Sequence, residues 1–177
     1  REAVRVLKHL QDTRAVELEF VDFDWGAEKF LREGISLPDG SLEKLTDEFD
    51  AIYAGAFGDP RVPSNQHAED ILLGMRRGLD LYINLRPVRL LDQRLTPLRN
   101  ATVEDIDFVV FRENTEGAYC GAGGFLKKGS PDEIATQEEL NTRRGVERII
   151  VAAFEYARTQ GRKRVTMADK SNVQRFG

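Results

Sequence analysis

The stretch DAIYAGAFGDPRVPSNQHAEDILLGMRRGLDLYINL, residues 50–85, decides the fold class. Its first segment, residues 50–57, is a continuous apolar run of strand length, and residues 58–60 (Gly-Asp-Pro) end it. Residues 68–78 follow a helical period, and residues 81–85 form a second apolar strand. Continuous apolar runs are typical of strands covered on both faces, as in a parallel sheet. The order strand–helix–strand therefore predicts an α/β fold.

The segments before this stretch continue the alternation of strands and helices. We predict, in order, a helix, a strand and two further helices, at residues 4–10, 16–23, 25–32 and 41–48. Gly34 follows the second of these helices, where the left-handed backbone that ends a helix favours glycine.

The segments after it predict a strand, a turn, a second strand, a long helix and a short last strand. These lie at residues 106–111, 127–129, 133–140, 142–158 and 164–168. Asn141 or Thr142 supplies the cap at the start of the long helix, and Gly161 ends it.

The pattern breaks between residues 87 and 100, where two prolines and an asparagine interrupt it. We therefore predict two domains, residues 1–92 and residues 93–177. Residue 1 already lies in a helical pattern, and the last residues stop where a new element is expected to begin. We expect an internal piece of a longer enzyme, truncated at both ends, and the alternative is a compact domain with frayed ends.

Composition excludes several classes of protein. The chain of 177 residues has a formal net charge of −4, which argues against an electrostatic nucleic-acid partner. Without a long apolar run we expect no membrane span. One cysteine and two histidines exclude a disulfide framework and a zinc cage. We expect a cytoplasmic protein.

Three arginines are placed where a ligand site is expected. Arg76 lies on the predicted helix, whereas Arg86 and Arg112 follow apolar strands. Ligands of α/β proteins bind at strand ends, and the planar guanidinium grips carboxylates with two hydrogen bonds. Together the three arginines predict a site for a di- or tricarboxylate. The alternative is that each arginine forms a structural ion pair with a local acid.

Two further residues have the chemistry of proton transfer. Tyr119 is able to donate a proton if a neighbouring cation lowers its pKa, although a packed tyrosine is the commoner case. Lys170 ends the last predicted strand, where a partly desolvated amine can act as a base or relay. An ion pair with neighbouring acids is the alternative for Lys170.

Five stretches, in this order, resemble the β-decarboxylating dehydrogenases of the isocitrate/isopropylmalate dehydrogenase family. They are FDAIYAGAFGDPRVP, LDLYINLRPVRL, IDFVVFRENTEGAYCGAGG, TQEELNTRRGVERIIVAAFEYA and ADKSNV, and they cover most of residues 48–173. The resemblance implies the two-domain fold of isopropylmalate dehydrogenase. Residues 1–92 would then be part of its large, cofactor-side domain, and residues 93–177 part of its small substrate and dimerisation domain. The resemblance also implies that residues 121–140 form a β-arm for dimer contact.

The resemblance further implies a reaction and its residues. Arg76, Arg86 and Arg112 are similar to the arginines that bind the substrate in the family. Tyr119 is similar to the tyrosine that protonates the enol carbon after CO₂ leaves, and Lys170 to the lysine that relays the hydroxyl proton.

Cofactors and partners also follow from the resemblance alone. It implies NAD as hydride acceptor and Mg²⁺ or Mn²⁺ as the metal, whose ligands we expect outside this chain. Glu69 and Asn172 are similar to residues near the nicotinamide. Because the lysine equivalent to Lys170 enters the partner subunit's site, a homodimer with shared active sites is implied, and we expect this chain alone to be inactive.

The choice of substrate depends on the helix that carries Arg76. Leu72 lies one turn before Arg76, where it is able to contact an alkyl substituent. This favours 3-isopropylmalate and hence leucine biosynthesis, although core packing alone would also explain Leu72. Tartrate/D-malate dehydrogenase and isocitrate dehydrogenase are the alternatives. Outside catalysis, the alternatives are a regulatory subunit of an isocitrate dehydrogenase and a plain dimerisation module.

Overall fold

The computed structural model describes residues 2–14 and 16–176. Its α-helices in that part of the chain are α1 Glu2–Arg14, α2 Ala27–Glu33, α3 Ser41–Glu48, α4 Gln66–Gly78 and α5 Arg143–Thr159. Its strands are β1 Ile83–Arg89, β2 Asp107–Glu113, β3 Gly123–Leu126 and β4 Ile134–Gln137. Short 3-10 helices occupy Pro63–Asn65 and Gln93–Leu95. The predicted mixture of helices and strands is confirmed.

The hydrophobic core lies between α3 and α4. Leu45, Ile71 and Met75 are buried, and Ile71 is only 1% exposed. Partly buried apolar side chains surround them: Phe23, Trp25, Leu37, Leu42, Phe49, Phe57, Leu72 and Leu79. The apolar stripe predicted for residues 68–78 therefore faces the core, as expected for an amphipathic helix.

Helix ends follow the predicted caps. Gly34 has a φ of 70° after α2, and its N–H donates to the Phe30 carbonyl at 2.7 Å. The Thr142 side chain accepts a hydrogen bond from the Gly145 N–H at 3.0 Å at the start of α5. Gly161, with a φ of 65°, follows the end of that helix. These caps can be predicted from the sequence because each depends on residues within one turn of the helix end.

The main sheet differs from the predicted parallel arrangement. β1 and β2 pair antiparallel, with Ile83 opposite Glu113 at one end and Arg89 opposite Asp107 at the other. The sheet has two strands in the described residues, and although α5 packs against β2, Leu85 remains 47% exposed. A continuous apolar run does not by itself fix strand direction, which depends on the pairing partner.

Three predicted strands are wrong in the described chain. Residues 16–23, 50–57 and 164–168 form no ladder with any described segment. A strand exists only by hydrogen bonding to a neighbour, and these segments have none there. The expectation that residues 50–57 are covered on both faces also fails, since Tyr53 is 63% exposed.

The predicted arm is a β-hairpin. β3 pairs antiparallel with β4, and a turn containing Lys127 (φ 52°) and Gly129 (φ 81°) joins them. The turn predicted at residues 127–129 is therefore confirmed, and β4 falls within the predicted strand at residues 133–140. The hairpin's role in dimer contact remains a prediction.

Two further observations bear on organisation. The predicted domain boundary at residues 92/93 falls in the connection between β1 and β2, and it remains a prediction. No described helix combines the length and apolar character required to cross a membrane.

Candidate active site

The three predicted arginines lie on α4, β1 and β2. Arg76 occupies the last turn of α4. Arg86 and Arg112 share a face of the β1–β2 sheet, because Arg112 is opposite Asn84 and side chains two residues apart on a strand point the same way. The register thus makes Arg86 and Arg112 diagonal neighbours, which long side chains bridge easily.

The three arginines all influence the Tyr119 side chain. The Arg112 guanidinium lies over the Tyr119 ring, 5.0 Å from its centroid. A hydrogen bond from Arg112 is the main cause that holds the pKa of Tyr119 below the usual value of a phenol. The positive charges of Arg76 and Arg86 lower the pKa of Tyr119 further. The phenol therefore lies within the field of all three guanidinium groups.

The three arginines differ in ion pairing from several others in the described chain. Arg61, Arg94, Arg148 and Arg162 each pair with a carboxylate. Within residues 2–14 and 16–176, neither Arg76, Arg86 nor Arg112 has such a partner. Adjacent cations without an anion repel one another, so the arrangement suits a ligand that brings two or more negative charges.

Arg77 is a site neighbour that sequence reasoning missed. Its guanidinium contacts the backbone carbonyl of Tyr119, and it also approaches Gly121. One end of α4 therefore holds both the cation beside the phenol and the contact that fixes the phenol's backbone. The Arg76-Arg77 pair was visible in the sequence, but its contact with a loop 42 residues away was not.

The loop before Tyr119 is fixed by two acidic side chains. Burial alone would raise the pKa of Glu113, but hydrogen bonds from the Thr115 hydroxyl and from backbone N–H groups outweigh it and lower that pKa. Glu116 accepts from the Thr142 N–H at 2.7 Å and from the Thr142 hydroxyl at 2.6 Å. The loop is thereby tied both to β2 and to the start of α5.

Arg148 joins α5 to the same region. Its guanidinium donates to the Asp80 carboxylate at 2.8 and 2.9 Å and to the Thr115 hydroxyl at 2.8 Å. It also lies 4.3 Å from the centroid of the Tyr82 ring. These contacts link the α4–β1 connection, the loop after β2 and α5.

The other predicted residues of α4 face different surroundings. Leu72 is half-buried and packs against the core cluster of Leu45, Ile71 and Met75. Glu69 is exposed. The adjacent Asp70 accepts a hydrogen bond from the Ser36 hydroxyl at 2.8 Å. The packing that we gave as the alternative for Leu72 is thus present, and contact with a substrate remains a prediction.

Lys170 and Asn172 form no hydrogen bond or ion pair with the arginines in the described part of the chain. Both are exposed, in a turn where the Lys170 carbonyl accepts from the N–H groups of Val173 and Gln174 at 2.9 Å. No hydrogen bond or ion pair in the described chain joins either side chain to Tyr119. The structure therefore groups four of the eight predicted site residues: Arg76, Arg86, Arg112 and Tyr119.

The described residues do not form a metal site. No group of three or more histidine, cysteine, aspartate or glutamate side chains in this part of the chain is placed to hold a cation. No hydrogen bond or ion pair within the described residues joins Glu69 to Asn172, so these two residues do not form a nicotinamide site here.

Comparison with known proteins identifies the family. The family model described as isocitrate/isopropylmalate dehydrogenase matches residues 1–177. A 3-isopropylmalate dehydrogenase from Streptomyces griseus subsp. griseus is 49% identical over 158 residues, which are 89% of this chain and 45% of that protein. A 3-isopropylmalate dehydrogenase from Thermobifida fusca is 43% identical over 97% of this chain and 48% of its own length.

A solved structure agrees. The crystal structure of isocitrate dehydrogenase from Methylococcus capsulatus superposes with a TM-score of 0.69 at 30% identity, over 92% of this chain and 45% of that one. The chain spans about half the length of the curated relatives it matches. On the family match over its whole length, this chain belongs to the isocitrate/isopropylmalate dehydrogenase family.

Proposed function

We propose that the full-length protein catalyses the NAD-dependent oxidative decarboxylation of a 2-hydroxy dicarboxylic acid. The observation that carries the proposal is the grouping of Arg76, Arg86 and Arg112 around the Tyr119 phenol. Three guanidinium groups without carboxylate partners suit a substrate with two carboxylates and a hydroxyl. Family membership supplies the reaction class, since its members act on a CH–OH group and release CO₂.

The chain's own residues hold the substrate and move protons. The arginines bind the carboxylates and orient the hydroxyl-bearing carbon. Lys170 takes the hydroxyl proton as that carbon is oxidised to the carbonyl of a 2-oxo acid. NAD, when bound, would supply the acceptor for the hydride. The β-carboxylate departs as CO₂, and Tyr119 then donates a proton to the carbon that lost it.

The lowered pKa of Tyr119 suits that step. A proton donor works best when its pKa lies closer to the working pH than that of a free phenol does. The Arg112 guanidinium also stabilises the phenolate that remains after transfer. Mg²⁺ or Mn²⁺, when bound, supplies a Lewis acid for the new carbonyl, and we place its ligands on other residues of the protein.

Among 2-hydroxy dicarboxylates we favour 3-isopropylmalate, which is converted to 4-methyl-2-oxopentanoate in leucine biosynthesis. Relatives named 3-isopropylmalate dehydrogenase are 43–49% identical to this chain. Leu72 is half-buried one turn before Arg76, where an apolar side chain favours an alkyl substituent over a third carboxylate. Tartrate/D-malate and isocitrate are the alternative substrates, a homodimer the proposed assembly and the cytoplasm the proposed location.

A substrate panel with the full-length protein tests this function. The panel contains 3-isopropylmalate, isocitrate, D-malate and tartrate, each with NAD and with NADP in the presence of Mn²⁺. We expect the highest kcat/KM with 3-isopropylmalate and NAD, and equal amounts of NADH and CO₂. A higher kcat/KM with another acid contradicts the substrate, and no turnover of any of the four contradicts the function.

The Leu72→Asn variant tests the selecting residue. We expect it to lower kcat/KM for 3-isopropylmalate by about tenfold, the effect typical of losing one apolar contact in a pocket. The melting temperature is measured alongside, because Leu72 also packs on the core. Unchanged kcat/KM in a folded variant would assign Leu72 to packing alone.

A further inference from the structure

A series of hydrogen bonds through two asparagine side chains connects Arg86 to the protein interior. The Arg86 Nε–H donates to Asn84 Oδ1 at 2.8 Å. The Asn84 amide nitrogen donates to Asn114 Oδ1 at 3.1 Å, and the Asn114 amide nitrogen donates to the Leu81 carbonyl at 3.1 Å. Asn114 is 8% exposed, so the hydrogen-bond series ends at a buried side chain.

Chemistry at the two ends fixes the direction of every hydrogen bond. A guanidinium nitrogen is only able to donate, so Asn84 must present its oxygen to Arg86. A backbone carbonyl is only able to accept, so Asn114 must present its nitrogen to Leu81. The hydrogen bond between the two amides then has one possible direction. Rotating either amide by half a turn would place donor against donor or acceptor against acceptor.

The hydrogen-bond series is also connected to the elements that carry the other two arginines. The Leu81 N–H donates to the Arg76 carbonyl at 2.9 Å, and this backbone hydrogen bond connects the inner end of the series to α4. Asn84 lies opposite Arg112 in the β1–β2 register. The two asparagines therefore lie on β1 and at the end of β2, and the Leu81 backbone connects them to the end of α4.

This arrangement leaves the ligand-binding edge of Arg86 available. Only its Nε is engaged within the described residues, so both terminal nitrogens remain open for a carboxylate. Arg86 is exposed, and a free arginine side chain loses conformational entropy when a ligand immobilises it. Holding Nε in advance reduces that loss and improves affinity.

We propose that Asn84 and Asn114 are positioning residues that hold the Arg86 guanidinium ready for a substrate carboxylate. The proposal rests on the proposed function, because it assumes that Arg86 binds a dicarboxylate. Neither asparagine touches the substrate. Both act through Arg86, so their effect falls on substrate binding more than on the chemical step.

A double-mutant cycle in the full-length protein tests this role. We expect Asn84→Ala to raise the KM for the dicarboxylate by about tenfold and to change kcat by less than about twofold, as for the loss of a hydrogen bond to a charged group. Arg86→Lys keeps the charge but lacks Nε–H, so Asn84 loses its partner there. In that background we expect Asn84→Ala to raise the KM by less than about twofold.

Two further variants complete the design. Asn84→Leu keeps a similar volume but has no acceptor for Arg86 Nε–H, so it also raises the KM and serves if Asn84→Ala does not fold. Asn141→Ala removes an exposed amide whose nearest partner is Glu139 at 3.4 Å, and it should leave KM and kcat unchanged.

The outcomes separate this inference from the function on which it rests. An active wild-type enzyme with an unchanged KM in Asn84→Ala, or with additive effects in the cycle, overturns the positioning role and leaves the function intact. A full-length protein that neither turns over nor binds any dicarboxylate, measured by calorimetry, overturns both.

Discussion

Tyr119 and Arg112 show how one contact sets the chemistry of a side chain. The phenol is 43% exposed, and burial raises its pKa by less than the contact with Arg112 lowers it. Its pKa is lowered because the hydrogen bond and charge of Arg112 stabilise the phenolate. A tyrosine at this place is a stronger acid than a free one, and the property depends on the neighbour rather than on the fold.

Arg112→Gln in the full-length protein should raise the pKa of Tyr119 towards its ordinary value of 10.0. Removing the cation leaves the phenolate without its main stabilising contact. Ultraviolet absorbance of the phenolate, followed as pH rises and corrected with the Tyr119→Phe protein, measures the change. Arg89→Gln removes the same charge from β1 and should leave the Tyr119 titration as it is, and an identical shift in both variants would reduce the effect to net charge.

Among the secondary-structure elements, helices were more predictable than strands. α3 has the predicted bounds, Ser41–Glu48. The cap of α5 follows from Thr142, whose side chain acts within one turn. Strands depend on partners far along the chain. Residues 50–57 have the composition of a buried strand, yet no described segment pairs with them.

The candidate site shows the same contrast between residues that local sequence indicates and residues whose contacts are distant in sequence. Arg76, Arg86 and Arg112 were predicted because an arginine beside an apolar element is unusual, and in the structure all three influence Tyr119. Their role in binding a substrate remains a prediction. Asn84 and Arg77 were not identified, because nothing in their local sequence indicates the side chain or carbonyl that they contact. Such contacts arise only from strand register and from the path of a loop.

The start of α5 yields a prediction in which two effects oppose each other. Replacing glycine by alanine inside a helix normally stabilises it by about 1 kcal/mol. At Gly145, however, the new Cβ would overlap the Glu116 carboxylate, with the carboxyl carbon only 2.6 Å away. That carboxylate is held in place by Thr142, so it cannot move without losing two hydrogen bonds.

We therefore expect Gly145→Ala to lower the free energy of unfolding by about 1–3 kcal/mol, the usual effect of overpacking. Gly74→Ala in α4 is the matched control, because its Cβ would meet only the end of the Leu37 side chain at 3.3 Å. Chemical denaturation of both variants gives the comparison. Equal stability of the two proteins would show that Glu116 yields freely.

For the molecule as a whole, Lys170 is the proposed catalytic residue that the described chain does not bring to the arginines and Tyr119. Its exposed turn makes no contact with Tyr119 among the described residues, although the proposed reaction needs both groups at one substrate. A site shared between two subunits satisfies both facts. In such a dimer, Tyr119 of one protomer and Lys170 of its partner act on the same molecule.

Mixing two inactive full-length variants tests the shared site. Tyr119→Phe and Lys170→Met dimers are each inactive at both sites. If subunits exchange at random, half of the dimers are mixed, and each mixed dimer contains one site with an intact tyrosine and an intact lysine. We therefore expect recovery of about a quarter of the wild-type activity after co-refolding, measured as NADH formation. If both residues served the same protomer's site, every site in the mixture would lack one of them, and mixing would restore no activity.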